Sequence, residues 1–210
     1  MSEQLKIQRN PQLDEAMRIL TDGTFSKMTG RKVPAMNRSQ AAAYLGNVIH
    51  ETGSADLSNL DVVERGNGGA GRGIAQYTGA RRDAYDKALG TNPNRNTMRA
   101  QLQYAAEEYA GKHDPAPGQS LVGYTRSLET MPKDAKGATD HLLINYFRPA
   151  DPNASRAARL QNAMQIQSLY PNKPAAQTAK QAAGAVKTPK PTRPNPLQNA
   201  LRIMGTSLPF

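Results

Sequence analysis

The 210-residue chain has no cysteine and no tryptophan, and its acidic residues stop at Asp151. Without cysteine there is no disulfide framework, no thiolate metal site and no cysteine nucleophile. No apolar run approaches the ~20 residues of a membrane span. The segment after Met1 lacks the apolar core of a signal peptide, so neither a span nor self-directed export is expected. Strand-type alternation is nearly missing as well. The length suits one ordinary domain with an appendage and falls short of two full domains. Hydrophobic residues make up 38% of the chain, enough to build a core and to exclude disorder throughout.

The missing acids divide the chain. Residues 1–151 hold all seventeen Asp and Glu against nineteen Lys and Arg, while residues 152–210 hold eight Lys and Arg and no acid. Composition shifts again near Pro171, where Pro, Ala, Lys, Gln and Thr take over and repeated prolines oppose regular structure. Three segments follow. Residues 1–170 form the folded body, residues 171–195 an extended basic linker, and residues 196–210 a short apolar anchor. In the anchor, a Pro196–Ser207 helix would align Leu197, Leu201 and Met204 on one stripe.

Helical periodicity dominates the body. It predicts helices over Pro11–Leu20, Ser39–Glu51, Arg81–Leu89, Met98–Ala110, Leu121–Glu129, Ala135–Phe147 and Ala154–Leu169. Only Leu60–Glu64 and Gly73–Tyr77 resemble short extended segments. The expected fold is mostly α, with a small irregular or β element between the second and third helices and a Pro/Ala/Lys-rich C-terminal extension.

The Ser39–Glu51 helix has Asn37 or Ser39 to cap it and Gly53 to end it. On a helical wheel Ala41, Ala42, Leu45, Val48 and Ile49 share one apolar arc, with Glu51 about 60° beyond Val48 and His50 on the opposite side. A carboxylate at the rim of a buried face and at the negative end of the helix dipole is discouraged from ionising, which suits a general acid. Taken alone, the wheel fits a surface glutamate in a frayed last turn at least as well.

The Gly-rich stretch Gly66–Gly73 lacks the Lys-Ser/Thr ending and the preceding buried strand of a phosphate loop. Its glycines instead suit a backbone turning tightly beside an extended ligand. Gly73-Ile74-Ala75-Gln76-Tyr77-Thr78-Gly79 then sets an amide beside an aromatic ring, a pairing that suits a sugar, although taken alone the segment is better read as a turn that merely packs on the helix. His50-Glu51 begins like a zinc-protease motif, but no second His follows four residues on, and no Gly-x-Ser-x-Gly elbow occurs. No metal site and no cofactor are expected.

These segments together resemble the phage tail lysozyme family. Ala41-Ala42-Ala43-Tyr44-Leu45-Gly46-Asn47-Val48-Ile49-His50-Glu51-Thr52-Gly53 is similar to its Ala-Ala-x-x-x-Gly-Asn-x-x-x-Glu-Ser-Gly helix. Gly73–Arg82 resembles its Gly-x-Ala-Gln-Trp-Thr-Gly-x-Arg-Arg segment, and Gln101-Leu102-Gln103-Tyr104 the start of a later helix. The run from Ala138-Thr139-Asp140 through Asn145-Tyr146-Phe147-Arg148-Pro149 to Asp151-Pro152 is similar to the closing segment. Thr52 stands in place of the usual Ser, Ser54 where an aromatic is common, and Tyr77 in place of the usual Trp.

The resemblance implies a lysozyme-like fold related to goose-type lysozymes and lytic transglycosylases. It implies that Glu51 is the general acid on the bond between N-acetylmuramic acid and N-acetylglucosamine, and that Gln76, Tyr77 and Tyr146 bind the glycan. A two-carboxylate mechanism needs a partner from Asp56, Asp61 or Glu64, of which Glu64 is favoured because it borders the Gly-rich loop, although a solvated loop charge fits each of the three at least as well. Lytic transglycosylases manage with one Glu, so hydrolysis and anhydro-sugar formation both remain open. Arg81-Arg82 fits either a contact to a substrate carboxylate or a helix-surface pair.

The partners implied are peptidoglycan glycan strands and phage tail or other virion proteins, the latter held through the C-terminal segment. The location implied is the virion, with action in the host periplasm or cell wall. Nucleic acid enters only as a non-specific contact of the basic tail, which has no stacking aromatics between Tyr170 and Phe210. Against this entry enzyme stand an endolysin acting at lysis and a virion structural protein whose lysozyme-like domain has little activity.

Overall fold

Side-chain caps set most of the helix starts in the computed structural model, which describes residues 5–30, 33–63, 71–113 and 128–172. Asn10 accepts the Leu13 N–H and opens α1, Pro11–Thr21. Asn37 and Gln40 cap each other's backbone in a capping box that opens α3, Arg38–Thr52. Thr97, Asp134 and Asp151 likewise open α5 (Met98–Tyr109), α6 (Ala135–Leu142) and α7 (Pro152–Leu169). The short α2, Thr24–Thr29, and α4, Gly79–Leu89, start without a side-chain cap. α6 runs on into a π-helical turn, Leu143–Phe147.

The mostly α architecture is as expected, and the β element is slighter. Among the described residues it consists of two isolated antiparallel bridges, Val63 with Arg72 and Arg72 with Tyr77. The two predicted extended segments therefore contribute single bridging residues. Gly73–Gln76 folds as a turn instead, because Gly73 takes a left-handed conformation (φ 76°) and its carbonyl accepts the Gln76 N–H at 3.1 Å. The α2 helix was not foreseen. Six residues between Gly23 and Gly30 are too few to show a period.

α3 is the central helix. Ser39, Ala41 through Ile49, and Thr52 are all buried, so the single apolar arc of the wheel gives way to burial on every face. Its small residues make that possible. A Cβ on Gly46 would lie 2.6 Å from the Ala163 nitrogen, so the glycine is what allows the α7 backbone to touch α3. Asn162 Nδ2 donates to the Gly46 carbonyl across the same contact.

Around α3 the core joins Leu13, Leu20, Leu45, Ile49, Leu102 and Ile166 to a block of rings: Phe25, Tyr44, Tyr109, Tyr146 and Phe147. The compact unit ends at Asn172, whose side chain donates to Ser39 Oγ at the start of α3. From residue 173 on, the predicted linker and anchor lie outside the described residues. Of the predicted Leu121–Glu129 helix, only Leu128 and Glu129 are described, both helical. No helix among the described residues is long and apolar enough to cross a membrane.

Candidate functional site

The C-terminal end of α3 opens on a hollow of about 840 Å³, larger than two others among the described residues, of about 480 and 630 Å³. That volume falls within the range of small-ligand sites. Its walls come from separate parts of the chain: His50 and Glu51 from α3, Gln76 and Thr78 from the turn, Arg81 from α4, and Phe147 and Arg148 from the end of the π-helical turn. Gly53, left-handed at φ 65°, closes α3 and gives its N–H to the Ile49 carbonyl. Thr52 turns its hydroxyl back on the Val48 carbonyl, leaving Glu51 as the last side chain of α3 on the cavity wall. His50 lines the same cavity. The wheel placed it on the opposite side, but at a helix end one hollow reaches around both positions.

Glu51 keeps 12% of its side-chain surface exposed, and Arg159 of α7 donates from Nη2 to its Oε1 at 2.6 Å. The guanidinium is buried and held on all arms. Its Nε donates to Ser155 Oγ at 2.9 Å, its Nη1 to Asn47 Oδ1 at 3.1 Å, and the Phe147 ring lies 5.8 Å away. Burial and the helix end favour a proton on Glu51, whereas the guanidinium favours its release. Sequence reasoning found the first two influences and missed the third. The signal was present: Arg159 stands in the otherwise small or apolar buried face Ser155, Asn162, Ala163 and Ile166 of α7. A lone arginine in a buried stripe calls for a buried partner. His50 is pushed down to about 4, first by burial and then by the Arg159 charge.

Gln76 sits in the turn at φ 45°, a strained conformation for a side-chain-bearing residue. Its Nε2 donates to the Val62 and Gly73 carbonyls, at 3.3 and 3.1 Å, leaving Oε1 buried with no hydrogen-bond partner among the described residues. Gln101 holds the same turn from beneath, accepting the Ile74 N–H and donating to the Tyr85 hydroxyl. Arg148 is also left-handed, at φ 50°. Two strained residues thus flank one cavity.

Tyr77 and Tyr146 require a correction. Both were expected to bind the glycan, but both are wholly buried, with hydroxyls 3.0 Å apart. Tyr77 stacks on Tyr85 and meets Tyr104 edge-on, and Tyr146 stacks on Tyr109. A ring packed on its faces offers no platform to a sugar, so the two tyrosines support the floor beneath the cavity. Arg81 crosses between them, 4.8 Å and 5.2 Å from the ring centres, to a bidentate pair with the fully buried Glu108. Arg82 pairs with Asp86, so neither arginine is a plain surface charge.

The three candidate second carboxylates also part company. Asp56 accepts from Ser54 and Ser58 within its own turn, and these bonds hold its carboxyl below the usual range. Asp61 accepts from Arg72, Tyr85 and Arg95. Burial works to raise its carboxyl, but these donors prevail and lower it. It fastens the loop to α4 and lies outside the cavity wall. Glu64 lies outside the described residues.

Comparison with known proteins adds one finding. The family model for phage tail lysozyme matches residues 28–170, which covers α3 through α7 and every described wall of the cavity. No match is found among curated proteins or among solved structures. With more than half of its length matched, the chain belongs to the phage tail lysozyme family, lysozyme-like phage proteins that act on peptidoglycan.

Proposed function

We propose that the protein cleaves the bond between N-acetylmuramic acid and N-acetylglucosamine, with Glu51 as general acid, while carried by a phage particle during host entry. The observation that carries this reading is the position of Glu51: among the described residues it is the one carboxylate on the wall of the cavity, at the end of the central helix. A glycosidic oxygen seated there takes the Glu51 proton as the C1–O bond breaks, and the cavity keeps the exchange away from bulk water. Gln76, whose side chain is on the cavity wall, is kept as a glycan-binding residue. Glu64 is kept as the second carboxylate, because Asp56 and Asp61 are engaged by their own neighbours. A single-carboxylate route, in which the substrate's N-acetyl group steadies the cation, is the competing mechanism.

The test is Glu51→Gln. Glutamine keeps an oxygen for Arg159, so the fold is retained, but it has no proton to give. Clearing of purified peptidoglycan in a zymogram is expected to vanish, and clearing near the wild-type level overturns the assignment. The carriage by the particle rests on family membership and on the apolar C-terminal segment. Washed virions are expected to contain the chain by mass spectrometry, and its absence from them favours an endolysin.

A further inference from the structure

The motif Gly46-Asn47 lies one and more helical turns before Glu51, and neither residue lines the cavity. Both serve α7. The missing Cβ of Gly46 admits the α7 backbone, with the Arg159 carbonyl 2.9 Å from where that Cβ would stand. Asn47 is fully buried, gives its Nδ2 to the Ala43 carbonyl, and turns Oδ1 to Arg159 Nη1. Ser155 holds Nε one turn earlier on α7. The motif and Ser155 thus form a socket that fixes a guanidinium against one oxygen of Glu51, and Arg159 itself does not line the cavity.

A guanidinium has donors only, so an oxygen that accepts from it at 2.6 Å is poorly placed to carry a proton. We propose that Arg159 is a positioning residue for Glu51: by gripping Oε1 it orients the carboxyl and stabilises the carboxylate left after the proton has gone. The proposal rests on Glu51 being the general acid. In the step itself the carboxyl O–H bond of Glu51 breaks and an O–H bond forms on the glycosidic oxygen. The C1–O electron pair leaves with that oxygen, and Glu51 becomes anionic beside a charge already in place. Stabilisation of an anion that exists only after proton transfer acts on the barrier more than on substrate binding.

Among the described residues, the other ionisable groups around Glu51 do not mimic this effect, and Glu64, kept above as the second carboxylate, is common to every variant compared. His50 on its own helix titrates near 4, on the acid side of the working range. Arg81 from α4 is held by Glu108; burial works to lower its pKa, but that carboxylate raises it, so it stays cationic across the range. Asp140 of α6 is paired with Arg156 of α7.

The experiment measures clearing of purified peptidoglycan by the full chain from about pH 4 to about pH 9, for Arg159→Met, Arg159→Lys, Ser155→Ala and Glu51→Gln. In Arg159→Met the maximal rate is expected to fall about tenfold or more, with half-saturation within about twofold. Its alkaline limb is expected to move up by about one pH unit or more, because the proton is held more tightly without the cation. Arg159→Lys restores part of both, since an ammonium supplies the charge but not the three-way fit. Ser155→Ala, which leaves the guanidinium in place, shifts the limb in the same direction by less, and it carries the test if Arg159→Met does not fold. Lowered melting temperatures with every alkaline limb overlaying the wild type overturn the proposal while leaving Glu51 as the acid. An active Glu51→Gln overturns the reading beneath it.

Discussion

His50 and Glu51 are neighbours on one helix end and face one cavity, yet burial treats them in opposite ways. It strips the proton from the imidazole, helped by the Arg159 charge, and favours a proton on the carboxyl. His50 is therefore neutral in the folded chain at pH 7, and in the unfolded chain it takes up a proton near its ordinary 6.5. Between these two values the unfolded state binds more protons, so stability is expected to decline as pH falls from about 6.5 to about 4. His50→Gln is expected to flatten that part of a melting-temperature profile, and an unchanged slope would show that other groups control it. The lowered carboxyls of Asp56 and Asp61 act in a separate window, since their contribution persists until the pH falls below about 4. Sequence reading reached Glu51 because local signals frame it: a capping residue, a period and a terminating glycine. It missed Arg159 because that partner is 108 positions away, and periodicity reports which face is buried but not what it meets. Tyr77 and Tyr146 failed for a related reason. A tyrosine suits a sugar platform and an aromatic core equally, and only the stacking on Tyr85 and Tyr109 decides between them.

Among the elements, the contact between α3 and α7 does most to build the site, and Gly46 governs it. Gly46→Ala puts a methyl group 2.6 Å from the Ala163 nitrogen and 2.9 Å from the Arg159 carbonyl, both backbone atoms that cannot turn aside. The helices must separate, at a cost of roughly 1–3 kcal/mol. Because Arg159 rides on α7, activity is expected to fall by more than the loss of folded protein accounts for. Circular dichroism melts paired with peptidoglycan clearing measure the two losses separately, and equal losses would remove α7 placement from the site. The loop between α3 and α4 depends on a different fastening. Asp61 gathers Arg72, Arg95 and the Tyr85 hydroxyl, and Arg72 also reaches Asp86 of α4. Asp61→Asn weakens a mostly buried contact to Arg72, which keeps Asp86, and a contact to the 40%-exposed Arg95, and is expected to cost about 1–3 kcal/mol by denaturant titration. A value within error of wild type would show the network to be solvent-screened. Most helices were legible because their caps and stops are local. The β element was legible only in part: Val63 and Tyr77 fall in the expected extended segments, but their bridges run through Arg72, in a loop pinned by long-range ion pairs.

At the scale of the whole molecule, the structure redistributes the net charge of +10. Of the eight cations after Asp151, Arg156 pairs with Asp140 and Arg159 with Glu51, so both belong to the folded body. The six that remain, from Lys173 to Arg202, lie beyond Asn172, where the compact unit ends. A chain stopped after Asn172 is expected to melt like the full protein and to cleave purified glycan at a similar rate. A lower melting temperature for the shorter chain would mean that the tail completes the core. What the tail holds depends on which of its properties acts. Six cations meeting a polyanionic surface give an association that fades in about 0.5 M salt, where screening acts within a few ångströms. An apolar stripe of Leu197, Leu201 and Met204 seated in a virion protein resists salt, because burial of apolar surface does not depend on charge. Co-sedimentation with phage particles separates the two. If the apolar stripe is the tether, association of the full chain survives about 0.5 M salt and is abolished by Leu197→Gln with Leu201→Gln, which leave the charge unchanged. If charge is the tether, the same double variant sediments like the wild type at low salt and both are released together at high salt.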